Sequence, residues 1–212
     1  GVVGLVAAAM GRDRTEPIDD LAALRFGVRV DREGVVKEDY HTAGGKHQDP
    51  ESYGVAKANG SKPLPALSWR YYLHDAAFLV GLEGDEDLLR RVHSALLAPK
   101  YPIFLGRMSC VPSPPPVLIA RPGHLTGAPD IPGLISMPLE EALTRGPWTA
   151  RSSREKKRAL KTKTMRLSLE VPLTESDESR PDVPLSFETR IFGYLGLRTM
   201  FVPLTADLVM EV

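Results

Sequence analysis

The stretch Arg25-Phe26-Gly27-Val28-Arg29-Val30-Asp31-Arg32-Glu33-Gly34-Val35-Val36-Lys37-Glu38-Asp39-Tyr40-His41 reads as two extended segments around a turn. Residues 25–31 alternate and carry β-branched side chains, which favours a strand. Arg32-Glu33-Gly34 supplies the turn, and Val35 to His41 is expected to return as the hairpin partner. Upstream, Gly1 to Arg12 is a run of small apolar residues that predicts a helix packed closely on a sheet, and Ile18 to Leu24 a short second turn after Pro17. Downstream, Trp69 to Gly84 reads as one buried strand. Asp85 to Ala98 places Leu88, Leu89, Val92 and Leu96 at helical spacing, with Asp85, Glu86 and Asp87 in the first turn, where the helix dipole favours them. Pro99 ends that helix, and Tyr101 to Leu105 is predicted as a further strand.

One strand placed ahead of Gly1 completes the order β-α-β-β-α-β, the α+β ferredoxin-like plan. RNA-recognition modules share it, as do many unrelated functions, so the plan alone decides little. The chain opens without an initiator methionine, and its apolar start lacks the preceding basic region of a signal peptide. The expectation is a fragment whose first strand is missing. Residues 1–111 form the predicted ferredoxin-like domain, interrupted by an insertion over about residues 42–69. Residues 112–212 are predicted as a proline-rich linkage and an irregular β-rich C-terminal extension packed on that domain. Within it, Leu139 to Arg145 predicts a short helix, Arg151 to Arg166 is strongly basic, Glu170 to Asp182 is acidic and turn-rich, and Phe187 to Val202 is strand-like.

The 212 residues carry 27 basic and 27 acidic side chains, a formal net charge of zero that would argue against a nucleic-acid partner were the charges evenly spread. They are segregated instead, so the total misleads. The lone Cys110 cannot make an internal disulfide, which favours a reducing, cytoplasmic setting. No stretch approaches the roughly 18 consecutive apolar residues of a membrane span, so no membrane partner is expected.

An insertion of this length in a compact domain is usually functional or disordered. Lys46, Lys57, Lys62 and Arg70 sit among Tyr40, Tyr53, Trp69 and Tyr72, with His41 and Thr42 at the near edge. Single-stranded RNA wants that mixture: cations for phosphates, and flat rings for bases at about 1–3 kcal/mol per stacked base. A solvated hairpin with its aromatics in the core fits equally well. Tyr71 and Tyr72 fall on opposite faces of a strand, so one at least is expected in the core. Arg70 and Arg107 lie at the edges of apolar strands, where a guanidinium needs a partner. That partner is either a phosphate or base edge, or an internal carboxylate such as Asp75 or Asp39. The basic run 151–166 could track a phosphate backbone, form a solvated face, or pair with the acidic stretch 170–182.

Catalytic patterns are weak. Ser153-Arg154-Glu155-Lys156 has S-x-x-K spacing without the accompanying motifs, and no phosphate-cradling glycine loop is present. His41, His47, His74, His93 and His124 show no metal-ligand spacing with one another or with Cys110, so neither metal nor cofactor is expected. Tyr40, His41, Lys46 and His47 form the one acid–base set able to cleave RNA without metal.

Five ordered blocks carry a resemblance: Gly1 to Arg12, Arg29-Val30-Asp31, Asp39-Tyr40-His41-Thr42, Arg70 to Ala76, and Leu105 to Cys110. They match the patterns G-x-x-G-L-x-x-A, R-x-D, D-Y-H-T, R-x-Y-L-x-D-A and L-G-R-x-S-C. In this the chain resembles the CasD-type subunits of CRISPR type I-E Cascade complexes. The likeness is dense to about Pro112 and then thins to Pro147-Trp148 and Pro184-Leu185-Ser186-Phe187. It implies a non-catalytic subunit that binds the 5′ handle of crRNA, caps the filament of CasC backbone subunits and contacts the large subunit CasA. Target DNA would be met through the assembled complex. The insertion becomes a thumb hairpin that reaches along the neighbouring backbone subunit and kinks the RNA. The implied RNA-binding residues are Arg70 foremost, then Arg107 and Phe104 on an adjacent strand, with His41, Thr42, Lys46, Trp69 and Tyr72. A related branch cleaves its own repeat RNA, which keeps a metal-independent endoribonuclease as the second reading. Family members carry a strand and a Trp-Gly and Pro-Thr-(Lys/Arg)-Ser segment ahead of the position of Gly1, where part of the handle pocket is expected.

Overall fold

The computed structural model describes residues 1–44, 55, 58–59, 65–113, 116–118, 131–150 and 152–211. These fall into two compact units, one of Gly1–Asp31 with Phe78–Val212 and one of Arg32–Ala77. In chain order the elements are α1 (Val2–Met10), α2 (Asp19–Ala22), β1 (Arg25–Arg32), β2 (Val35–Ala43), β3 (Ala66–His74) and β4 (Ala77–Glu83). There follow α3 (Glu86–Leu97), α4 (Leu139–Arg145), β5 (Trp148–Ala150), α5 (Ser153–Thr162) and β6 (Thr164–Val171). β7 (Glu178–Ser186), β8 (Ile191–Pro203) and β9 (Val209–Glu211) complete the series, with 3-10 turns at Leu173–Glu175 and Ala206–Leu208.

The larger unit is a mixed helix and strand fold on a five-stranded sheet in the order β4-β1-β6-β8-β7. β6 runs antiparallel to β1, with Gly27 opposite Leu169 and Val30 opposite Arg166, and β8 runs antiparallel to both β6 and β7. Arg25 on β1 pairs with Glu83 on β4 at 2.9 Å. α1 and α3 bury Val6, Ala7, Leu88 and Val92 with Leu21 and Leu24. Asp85 starts α3 by accepting a hydrogen bond from the Leu88 amide at 2.8 Å, which satisfies one of the helix's free donors. α4 lays Leu139 and Leu143 on Leu167 and Leu169 of the sheet. Gly27 permits that approach, because a Cβ there would stand 2.7 Å from Leu143 Cδ1.

Arg29 is fully buried on β1. Its guanidinium donates to both oxygens of Asp31, at 2.7 and 3.1 Å, and to the carbonyls of Leu143, Gly146 and Pro147, at 2.6–2.7 Å. All five N–H groups are used, and the carbonyls left open at the end of α4 are satisfied by a cation, which suits that end of the helix dipole. The Asp31 carbonyl accepts from Trp148 Nε1 at 3.3 Å and from Lys163, whose ammonium lies 4.7 Å from the Trp148 ring centroid. The R-x-D block is thus a tie between sheet and helix.

Three sequence expectations change. Val35 to His41 does not pair with β1; β6 holds one side of β1 and β4 the other. The run from Trp69 to Gly84 divides into β3 and β4 at Asp75, which takes φ 57°, a conformation Asp tolerates. Tyr101 to Leu105 is not a strand. The amides of Lys100 and Tyr101 bond the carbonyls of Ala9 and Ala8 at the end of α1, and Pro102 has no N–H to offer a ladder. The basic run, to which the sequence reading gave no secondary structure, forms α5 and the start of β6.

Candidate nucleic-acid interface

The smaller unit is a two-stranded antiparallel ribbon in which β2 and β3 pair from Val35 opposite His74 to Ala43 opposite Ala66. The hairpin therefore extends beyond the predicted 42–69 on both flanks. Gly34, at φ 76°, and Asp75 turn the chain at its base, where Arg32 donates to the Asp75 carbonyl at 3.3 Å.

Opposed residues in an antiparallel ladder share a face, so the register sorts the side chains. One face carries Val36, Tyr40, Leu67, Trp69, Tyr71 and Leu73, with Glu38 and Thr42. Those six apolar and aromatic side chains are each at least half exposed, Trp69 at 58% and Tyr71 at 65%. Tyr40 and Trp69 meet with ring centroids 5.6 Å apart. Glu38 hydrogen-bonds Tyr71 and holds its hydroxyl above the usual phenol range. The opposite face carries Lys37, Asp39, His41, Ser68, Arg70, Tyr72 and His74. There His41 Nδ1 lies 3.0 Å from Asp39 Oδ2, and Tyr72 and His74 meet edge to face at 6.4 Å.

Arg70 Nε donates to Ser68 Oγ at 3.1 Å, and among the described residues Arg70 makes no ion pair. The two carboxylates weighed as its internal partners are engaged elsewhere: Asp39 with His41, and Asp75 with Arg32 at 3.8 Å. Its guanidinium is a half-buried cation with donors to spare, which an anionic ligand would use.

The predicted site residues divide accordingly. His41, Arg70 and Tyr72 share the polar face, joined by Lys37, while Thr42 and Trp69 lie on the apolar one. Lys37 escaped the sequence reading because strand alternation assigns a face only once the partner strand is known. Tyr71 is exposed and Tyr72 half-buried, so the expectation that one of them is core does not hold. Phe104 and Arg107 are in the larger unit, in a loop rather than a strand, where the Leu105 amide bonds the Cys110 carbonyl at 2.7 Å. Lys46 and His47, like Tyr53, Lys57 and Lys62, lie outside the described residues. Of the acid–base set, Tyr40 and His41 point to opposite faces of β2 and cannot converge on one phosphodiester from the strand.

A cleft of about 100 Å³ in the larger unit is lined mainly by apolar residues of α1, α2 and the β7–β8 region, with Glu170 and Asp182 its acidic members. Among the described residues no three His, Cys, Asp or Glu side chains gather as a metal site, and no helix is long and apolar enough to cross a membrane.

The chain matches the family described as CRISPR-associated protein (Cas_Cas5) over residues 1–198, and it belongs to that family. It is 33% identical over 124 residues to the CRISPR system Cascade subunit CasD of Escherichia coli (strain K12), a match covering 52% of this chain and 52% of that relative. The match thus spans about half the length of this curated relative. Two solved structures are similar throughout. One, described as the crystal structure of a Cas protein, is 39% identical with a TM-score of 0.67, over 96% of this chain and 79% of that one. The other, a CRISPR RNA-guided surveillance complex, is 31% identical with a TM-score of 0.73, over 99% and 80%.

Proposed function

We propose that this chain is a non-catalytic, cytoplasmic subunit of a CRISPR RNA-guided surveillance complex of the Cascade kind, and that it binds the 5′ handle of crRNA at the end of the backbone filament. The observation that carries the reading is the two-faced ribbon. Its polar face offers Arg70, Lys37 and His41, cations and donors suited to phosphates, with Tyr72 beside them for stacking. Its apolar face exposes a contiguous aromatic and aliphatic strip of the kind that marks protein contact sites. A lone two-stranded ribbon is marginally stable in water, so both faces call for partners. In this reading the strip meets the neighbouring CasC-type backbone subunit, the CasA-type large subunit packs elsewhere, and target DNA is met only through the assembly. Arg107 and Phe104 are further handle contacts.

The accompanying fold reading is a ferredoxin-like core within residues 1–111, with residues 112–212 as an extension packed on it. The adjacency of β1 and β4 and the packing of α1 on α3 support it.

The test is Arg70→Ala in the reconstituted complex, with binding to handle-bearing crRNA followed across salt. The affinity should fall, and the slope of log affinity against log salt should lessen by about 0.7 for each phosphate that Arg70 neutralises. Unchanged RNA retention would remove Arg70 from the site. Metal-independent cleavage of repeat RNA, abolished by His41→Ala, would favour the endoribonuclease reading instead.

A further inference from the structure

The basic segment after Trp148 folds into a feature that the hairpin reading leaves unused. α5 holds five basic residues and one acid, Glu155, in ten positions. Ser152 caps it, accepting from the Glu155 amide at 3.2 Å, and Ala159 packs into the cluster of Trp148, Met165, Leu204 and Leu208. Opposite that anchor, Arg154, Lys157, Arg158 and Lys161 follow the spacing i, i+3, i+4, i+7, which places them on one stripe, and all four are exposed. From Arg154 to Lys161 the stripe runs about 10 Å at about 1.5 Å per residue.

This stripe opposes its own helix. Arg154 with Lys157 and Arg158, and Lys157 with Lys161, are like-charge neighbours that each destabilise a helix by about 0.2–0.5 kcal/mol. Arg154 also stands in the first turn, where the dipole disfavours a cation. Among the described residues Arg154, Lys157 and Lys161 make no ion pair or side-chain hydrogen bond. Three acids of the 170–182 stretch are engaged elsewhere. Glu178 pairs with Arg180, Glu175 with Arg198, and Asp177 accepts from the Thr199 amide. The repulsion among these three cations is left without an internal remedy, as expected where a local rule is broken for a ligand.

We propose that the exposed face of α5 is a second nucleic-acid contact, binding the phosphate backbone without reading bases. Its composition selects that partner. Protein interfaces are built on apolar or aromatic anchors and are depleted in lysine, whereas this stripe is wholly cationic and has no such anchor. Lacking an aromatic side chain, it has nothing on which to stack a base, so it recognises charge and not sequence. It is thereby distinct in kind from the ribbon, with its tyrosines.

The experiment uses the whole chain, with a labelled oligouridylate and a labelled DNA duplex as probes, and fluorescence anisotropy from about 50 to about 200 mM salt. The variant Arg154→Gln/Lys157→Gln/Lys161→Gln should weaken binding to at least one probe. Its log–log salt slope should fall by about 2 on the single strand or about 3 on the duplex, and the larger fall identifies which backbone the face takes. Glutamine is a good helix former, so the far-ultraviolet circular dichroism and Tm should hold or improve. Lys157→Arg/Lys161→Arg should keep both affinity and slope. Arg70→Ala, measured alongside, should affect handle-bearing RNA selectively, so either site can fail without the other. Unchanged affinity and slope on both probes would overturn the proposal. So would intact binding to both probes with defective assembly of the complex, which would assign the stripe to an acidic protein surface.

Discussion

At the scale of single residues, Arg29 and Arg70 show how one side chain acquires opposite roles from its surroundings. Both sit on strands among apolar neighbours. Arg29 is buried with every N–H committed, to Asp31 and to three carbonyls at the end of α4. Arg70 is half-buried, with a single hydrogen bond, to Ser68, among the described residues. Removing Arg29 takes the paired guanidinium from Asp31 and leaves those carbonyls without their donor, so Arg29→Ala should cost roughly 3–5 kcal/mol of stability, read as a lower urea midpoint at constant slope. Arg29→Lys should recover only part of that, because an ammonium has three donors where five are used. For Arg70 the expected loss is in RNA binding, with stability little changed. The sequence displays both arginines equally well. Which one is satisfied internally depends on α4, more than a hundred residues away.

At the scale of elements, the ribbon is the informative case. Its base depends on Gly34, whose φ of 76° suits glycine and whose added Cβ would meet the His74 carbonyl oxygen at 2.7 Å. Gly34→Ala should therefore cost roughly 1–3 kcal/mol, localised to the hairpin. Hydrogen exchange should show faster amides in β2 and β3, with α3 and β6 unchanged. The turn at Arg32-Glu33-Gly34 was legible, but its consequence was not. Local hairpin logic joins residues 25–31 to residues 35–41, whereas β1 is taken by β6, more than a hundred and thirty positions downstream. Helices α3 and α4 were readable, with acids in the first turn of each and apolar spacing and the stop at Pro99 marking α3, whereas α5 showed in the sequence only as a basic run.

For the molecule as a whole, the equal totals of acid and base conceal a directional response to pH. Among the described residues, three carboxylates sit below the usual range: Asp13 through hydrogen bonds from Thr15, Asp20 through Arg12, and Glu178 through Arg180. A carboxyl with a depressed folded pKa contributes stability above its unfolded value that is lost as pH falls through the folded one. The Tm should thus be flat above about pH 4 with respect to these groups, the ordinary carboxylate range, and decline below it. Asp20→Asn should flatten that acid limb. These groups are largely exposed and screened, so the decline should be shallow. Taken alone, the sequence determined what depends on near neighbours: helices α1 to α4, the α+β class, the aromatic and basic character of the insertion, and the ordered blocks by which the family is known. Tertiary structure alone decided the pairing of β1 with β6, the sorting of the ribbon into an apolar and a polar face, the burial of Arg29 and the one-sided exposure of α5. The physical reason is that helix periodicity is local, whereas strand register and charge satisfaction are set by partners far along the chain.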